Sequence, residues 1–449
     1  MSDVLSKRDE MKKKLRNFVK KALFRQELQL LEEQQNTIRV LASATIKSRA
    51  LVKTLLKKPV KVLFICHEPS LWSMFDSIYQ EMDKDLGFSP LVVALPYSHA
   101  SLPRGQFKDS EIFEFCQQQN IKVIKGYDKE QNVWINPLEL LPDYVFFQTP
   151  YDLFPSIWSV QQISTIANVC YVPYATSLFR GDVDDILHPE LFFKCVYLFF
   201  KESNFTRELF VKKLQDNAWL DKGKVIASGH PKLDYIKKNL QLRGSAWRQG
   251  IKENITRILW TPRWNTSDGC CHFFDYKSFF TSFCAEHQNI DFTFRPHPLC
   301  LQNFLKSGEL SADEYKRLLS DYKQSDNQSL DDSPEYHDTF LTCDILVSDV
   351  SSMMLEFFAT GKPIIYTHRN NLFNEFGQAL SDAFYWVTNE QELEATLKQL
   401  IAGDDPLFQK RHELMKELIH KTSDGAGREI KNLIQEDFSE SSSLSIELF

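Results

Sequence analysis

The chain has 449 residues, 43% of them hydrophobic and 25% charged, with a formal net charge of −7. That length exceeds what one core usually serves, and the composition is that of an ordinary globular protein. No apolar run reaches the roughly 18 residues of a membrane span, none resembles a signal peptide, and the acidic main body gives no sign of nucleic-acid binding.

The charge is uneven, because residues 1–60 hold 15 Lys and Arg against 6 Asp and Glu. From Met11 to Leu56 there is no Pro or Gly, and Met11, Leu15, Phe18 and Ala22, then Leu28 and Leu31, then Leu51 and Leu55 recur at helical spacing. The stretch reads as two or three helices. The first carries Lys12, Lys13, Lys14, Arg16, Lys20 and Lys21 around an apolar stripe, as a helix lying on an anionic membrane surface does. Packing on its own domain or a contact in a homo-oligomer would use the same pattern.

After Pro59 the style changes. "VKVLFIC", "SPLVVALPY", "IKVIKGY", "PDYVFFQTPY", "NVCYVPYA", "CVYLFFKES" and "GKVIASGHPKLDYI" alternate with helical stretches. Short buried runs of this kind indicate βαβ units and a parallel sheet. A charged helical segment near residues 236–254 follows, and the pattern restarts with "RILWTPRW", "IDFTFRPHP", "CDILVSDVSS", "KPIIYTH" and "AFYWVTN". The fold class is therefore α/β, with two Rossmann-like parallel-sheet domains facing a cleft and an N-terminal helical extension. The expected division is 1–58 (basic helical extension), 59–238 (first α/β domain), 239–420 (second α/β domain) and 421–449 (a helix and a polar tail). Neither GxGxxG nor GxxxxGK[ST] occurs. The nine cysteines are scattered, and several sit in strand-like runs, as reduced core thiols do. Cys270 and Cys271 before His272 lack the second ligand pair that a metal site needs.

Three strand ends in the second half are unusually polar. "WTPRW" sets Arg263 between tryptophans, "FRPHP" sets Arg295 and His297 among prolines, and "SDVSSMMLEFF" gathers Ser348, Asp349, Ser351 and Ser352 before Glu356. Helix capping alone uses one such hydroxyl or carboxylate. Two arginines, a histidine and a hydroxyl-bearing helix start on one sheet edge suit a pyrophosphate. The first half offers His67 after its first strand and Tyr174 after "YVP", on an aromatic, hydroxyl-rich edge suited to a sugar or polyol. His230 stands in "SGHPKLD" near the join of the domains.

"SGHPKLD", "WTPRW", "FRPHP" and "SDVSSMMLEFF…GKPIIY", in that order, resemble the CDP-glycerol glycerophosphotransferase family of bacterial teichoic-acid and capsule polymerases and primases. The resemblance spans roughly residues 60–400 and is most specific over 225–366. It implies the two-domain GT-B fold, with the nucleotide donor on the second domain and the acceptor on the first. It also implies transfer of glycerol phosphate from CDP-glycerol to a hydroxyl of a lipid-linked or glycan acceptor, release of CMP, no obligatory metal or other cofactor, and a cytoplasmic enzyme peripheral to the membrane's inner face. By the same resemblance His297 and Arg295 would contact the donor pyrophosphate, Ser351 and Ser352 would bind phosphate oxygens, and Glu356 takes an acidic family position; from their own strand ends, Arg263 and Asp349 are expected among the donor-phosphate-binding groups. Gly229, Pro231 and Asp234 match an interdomain G-x-P-x-x-D element in which His230 is a variable position. The family's His-Gly-Thr element, whose His is the proposed base, is absent. "YVPYATSLFRGD" offers Tyr174 and Thr176 there instead, so His67 becomes the first candidate to deprotonate the acceptor. A GT-B glycosyltransferase using a nucleotide sugar is the alternative enzyme, and a non-catalytic subunit of a polysaccharide assembly is the alternative from another class.

Overall fold

The computed structural model describes residues 30, 33–99, 102–103, 105–174, 178–181, 189–215, 224–239, 247–250, 252–333, 336–351, 353–367, 370–418 and 425–443. Helix α1 (33–55) precedes the first sheet. That sheet is built from β1 (Val60–Cys66), β2 (Phe88–Ala94), β3 (Val123–Lys125), β4 (Tyr144–Phe147), β5 (Asn168–Tyr171), β6 (Leu198–Lys201) and β7 (Val225–Ala227). Its spatial order is 3-2-1-4-5-6-7 and every pairing is parallel. The second sheet holds β8 (Thr256–Thr261), β9 (Ile290–Phe294), β10 (Gln328–Leu330), β11 (Ile345–Ser348), β12 (Ile364–Tyr366) and β13 (Tyr385–Trp386) in the order 10-9-8-11-12-13, again all parallel.

The apolar runs form strands because both faces of each sheet are covered. Val62, Phe64 and Cys66 enter one core layer while Leu63 and Ile65 enter the other, the two-residue period of a strand. In the second sheet Ile258 and Trp260 face one layer and Leu259 the other. In each sheet the strand order reverses direction beside the first strand, at β1/β4 and at β8/β11. Open α/β sheets hold ligands outside the carboxyl ends of the strands at such a point.

Three devices join the halves. Helix α2 (Pro231–Asn239) follows β7 and leads across. The strip 178–181 meets 372–374, where Arg180 N–H donates to Leu372 O and Asn374 N–H to Leu178 O, both at 2.9 Å. Gly377 lies so close to Leu178 that a Cβ would stand 2.2 Å from its carbonyl oxygen. Helix α3 (Ala426–Ser443) then returns to the first domain, where Ile430, Ile434 and Phe438 enter the core layer of β1. Its Asp437 accepts hydrogen bonds from Tyr144 (2.6 Å), Tyr197 (2.9 Å) and Lys224 (3.0 Å). Asp234 caps the start of α3, accepting from Ala426 N–H at 3.0 Å and Gly427 N–H at 2.9 Å. No described helix is long and apolar enough to cross a membrane.

Candidate active site

The three polar strand ends of the second sheet stand side by side, since β8 lies between β9 and β11. Their polar side chains do two different jobs. Several tie the loops to one another. Ser348 Oγ donates to Thr261 O at 3.0 Å and accepts from Thr261 Oγ1 at 3.0 Å, locking β11 to β8. Asp349, 1% exposed, accepts from Arg263 N–H (2.6 Å) and His272 N–H (3.0 Å), one with each oxygen. Burial pushes its carboxyl up to about 7, against the pull of those two N–H groups. Asp349 was expected among the phosphate-binding groups, but both its oxygens are occupied by backbone donors, so it acts on the site by positioning the Arg263 loop. Ser351 Oγ accepts from Met353 N–H at 3.3 Å, an N-cap to the short helix Met353–Phe358. Ser352 lies outside the described residues.

The remaining groups stand on the same strand-end loops. Arg263 Nε is 2.6 Å from Asp268 Oδ2, which fixes the guanidinium's direction. Arg295 Nη1 is 2.5 Å from Asp331 Oδ2, its Nη2 donates to Ser333 O at 2.7 Å, and its guanidinium lies 5.8 Å from the ring centre of Tyr336. His297 is exposed, 6.0 Å from the Trp264 ring, with Nδ1 accepting from Leu299 N–H at 3.2 Å. Partial desolvation of the ring, then the nearby Arg263 charge, hold its pKa below the usual value. Both effects leave His297 neutral near pH 7, so its Nε2–H is a hydrogen-bond donor. Cys271 Sγ donates to Arg263 O at 2.9 Å and His272 Nδ1 pairs with Asp275 at 2.7 Å. No metal-holding cluster of His, Cys, Asp and Glu occurs among the described residues.

Glu356 and His230 sit at the hinge. Glu356 Oε1 is 2.7 Å from Lys232 Nζ, and Oε2 accepts from Tyr336 OH at 2.8 Å. Burial would raise this carboxyl, but Lys232 and the two hydrogen bonds bring it below its ordinary value. His230 is buried. Its Nδ1 accepts from Lys232 N–H at 3.2 Å, so the proton is on Nε2, which donates to Pro173 O at 2.8 Å. Burial keeps it neutral despite the Glu202 charge.

In the first domain His67 is buried, against Tyr97 (4.8 Å between ring centres) and Phe154 (5.7 Å). Among the described residues its Nδ1 has no hydrogen-bond partner, and burial lowers its pKa to about 4. A general base works best with a pKa near the operating pH, so a value of about 4 weighs against this role. Tyr174 OH is 2.9 Å from Tyr151 OH. Thr176 lies outside the described residues. Lys232, Asp331 and Tyr336 were missed from sequence. Only Lys232 left a signal there, being a charge beside the proline of "SGHPKLD".

A family model described as CDP-glycerol:poly(glycerophosphate) glycerophosphotransferase matches residues 202–374, which take in the hinge and all three strand-end loops. No curated protein matches the chain. Among solved structures the chain is similar to the wall teichoic acid polymerase TagF, at 15% identity and a TM-score of 0.54, covering 92% of this chain and 95% of that one. It is also similar to a UDP-GlcNAc 2-epimerase from Neisseria meningitidis bound to UDP-GlcNAc, at 14% identity and 0.55, covering 84% and 99%. The fold expected from the motifs is the one observed, two α/β domains of the GT-B kind, and the family model matches the segment 202–374 within it.

Proposed function

We propose that this protein is a transferase that moves glycerol phosphate from CDP-glycerol to a hydroxyl of a lipid-linked or glycan acceptor, releasing CMP, in teichoic-acid-type polymer synthesis. One observation carries the reading: the family match coincides with the part of the chain that brings Arg263, Arg295, His297 and the Ser351 turn to three neighbouring strand ends. Phosphoryl transfer needs positioning and charge stabilisation more than covalent chemistry from the protein. Arg263 and the neutral His297 are the groups offered to the donor diphosphate, while Arg295 is ion-paired with Asp331. These cationic and N–H donors are proposed to do the neutralising, so the transfer should persist in EDTA.

The acceptor's end of the reaction is assigned to the first domain, whose strand ends carry Tyr151, Tyr174 and His67. The enzyme is proposed to work on the cytoplasmic face of the membrane, docked through residues 1–58. Helix α1 supports this: Ala42, Ile46 and Ala50 pack inward while Arg49 and Lys53 pair with Asp143, leaving Ile38, Leu41, Val52 and Leu55 exposed among further lysines. Residues 1–29 lie outside the described residues.

Thermal shift with CMP, CDP, CDP-glycerol, UDP and UDP-sugars, on wild type and His297→Ala, tests the donor assignment. A ligand that binds the native state raises its melting temperature. A cytidine-selective rise that is weakened in H297A is expected. A uridine-selective rise would point to a nucleotide-sugar glycosyltransferase.

A further inference from the structure

The loop that follows β4 walls a cavity of about 130 Å³ in the first domain. Phe147, Phe154, Trp158 and Phe192 supply aromatic walls, and the Phe147 and Phe192 rings meet edge to face at 5.9 Å. Tyr151, Asp152 and Leu191 make an exposed rim, Tyr151 at 39% and Leu191 at 52% exposure. The volume is far below the roughly 300–1,000 Å³ of sites for drug-sized ligands, so the cavity takes one small unit and not a nucleotide. Two buried polar atoms there are unmatched. Trp158 is wholly buried, and its Nε1–H has no acceptor among the described residues. Thr149 Oγ1, between the lining residues Phe147 and Pro150, lacks a partner in the same sense. Buried polar groups without partners are uncommon in native proteins and call for an explanation.

The position bears on the reaction. β4 adjoins β1 at the switch point of the first sheet, and such points hold ligands at the carboxyl ends of the strands. Tyr151 OH is 2.9 Å from Tyr174 OH, and Tyr174 follows Pro173, whose carbonyl accepts from His230 at the hinge. Phe154 packs on His67, 5.7 Å between ring centres. The cavity is thus tied both to the end of β1 and to the hinge. Its lining narrows the occupant. No lysine or arginine is among the described lining residues, and the Asp152 carboxylate repels a phosphate. An alkyl chain would cover the aromatic walls but leave the indole N–H unmatched. A sugar ring answers each feature, with C–H groups for the electron-rich ring faces, an oxygen for the Trp158 N–H and a hydroxyl for Asp152.

We propose that this cavity binds a neutral sugar ring of the acceptor. The inference rests on the transferase reading and adds the class of acceptor: a sugar-bearing one gains a foothold that a chain of glycerol phosphates does not. Trp158 and Asp152 hold the acceptor and take no part in the chemistry, and the donor diphosphate stays with the second domain.

The test measures CMP release from CDP-glycerol with two acceptors, decyl β-glucoside and a synthetic decyl-linked glycerol phosphate dimer, in wild type, Leu191→Trp and Trp158→Phe. L191W fills the mouth from an exposed position, so it should fold even if W158F does not. It should raise the KM for the glucoside about tenfold or more. W158F keeps an aromatic wall and removes the N–H, and should raise that KM about 3–10-fold, the worth of one hydrogen bond. Both should leave the KM for the ring-free dimer and the CDP-glycerol thermal shift as in wild type. Saturation-transfer NMR with methyl β-glucoside reads the cavity without turnover: transfer to the ring protons is expected in wild type and lost in L191W. A wild type that turns over the dimer but neither uses the glucoside nor gives that transfer overturns the inference and leaves the transferase reading standing. An unchanged glucoside KM in L191W, or an equal rise for both acceptors, overturns it too. No CMP release from wild type with either acceptor overturns the transferase reading, and the acceptor role of the cavity with it.

Discussion

Lys232→Met is the sharpest probe of how the hinge is held. The wild-type pair is nearly buried, with side-chain exposures of 9% for Lys232 and 6% for Glu356. Removing one partner of such a pair typically costs about 3–5 kcal/mol, because the other charge is stranded. Methionine replaces the apolar stem of the lysine, and Tyr336 OH still serves Oε2, so most of the cost is electrostatic. Glu356 has an escape, which is to take up a proton. From its ordinary 4.5, protonation at about pH 7.5 costs about 4 kcal/mol, and at about pH 5 less than about 1 kcal/mol, at 1.36 kcal/mol per pH unit. Those figures cap the penalty at each pH. In wild type the lowered Glu356 value contributes stability above the ordinary carboxylate pKa and loses it as pH falls through the folded value. In K232M the sign reverses, so the mutant regains stability on acidification. Urea unfolding followed by tryptophan fluorescence should therefore find K232M about 3–4 kcal/mol less stable than wild type at about pH 7.5 and within about 1 kcal/mol at about pH 5. The double variant K232M/E356Q should recover most of the loss at neutral pH. A deficit below about 1 kcal/mol at neutral pH, or one that does not change with pH, would refute this account of the hinge.

Three further outcomes are expected. Burial raises Asp349 to about 7, so its contribution to stability is complete below the ordinary 3.8 and is lost as pH rises through about 7; Asp349→Asn should flatten that part of the pH–stability profile and weaken CDP-glycerol binding, and an unchanged slope would contradict the latch. A Cβ at Gly427 would stand 2.4 Å from the Ser77 carbonyl carbon, so Gly427→Ala should cost about 1–3 kcal/mol in thermal unfolding by lifting α3 from the first domain. Replacing Ile38, Leu41, Val52 and Leu55 by Ser should abolish sedimentation with anionic phosphatidylglycerol vesicles while leaving the melting temperature within a degree or two, because these side chains are exposed; retained sedimentation would move the membrane contact elsewhere.

Much of the architecture was legible because the signal is local. Runs such as "VLFIC" and "YVFF" are apolar on both faces, and only a parallel sheet covered on both sides accommodates them. The polar punctuation after β8, β9 and β11 is equally local, so the crevice could be found as a set of strand ends. Partners were not legible, because they come from far along the chain. Asp349 and Arg263 are 86 residues apart, so nothing in "SDVSS" says that the carboxylate is taken by backbone N–H groups. His67 ends a strand as expected, but the rings of Tyr97 and Phe154, from two other loops, bury it and lower its pKa. The return of α3 rests on Asp437 meeting Tyr144, 293 residues earlier.

The central claim is the reaction itself, and phosphorus NMR of the purified full-length protein with CDP-glycerol and the decyl-linked glycerol phosphate dimer tests it most directly. The account predicts that the diphosphate signals are replaced in equal amounts by a CMP monophosphate signal and a new phosphodiester signal, with the conversion slowed strongly by His297→Ala. Intact CDP-glycerol after prolonged incubation, beside turnover of a UDP-sugar by the same preparation, would contradict it.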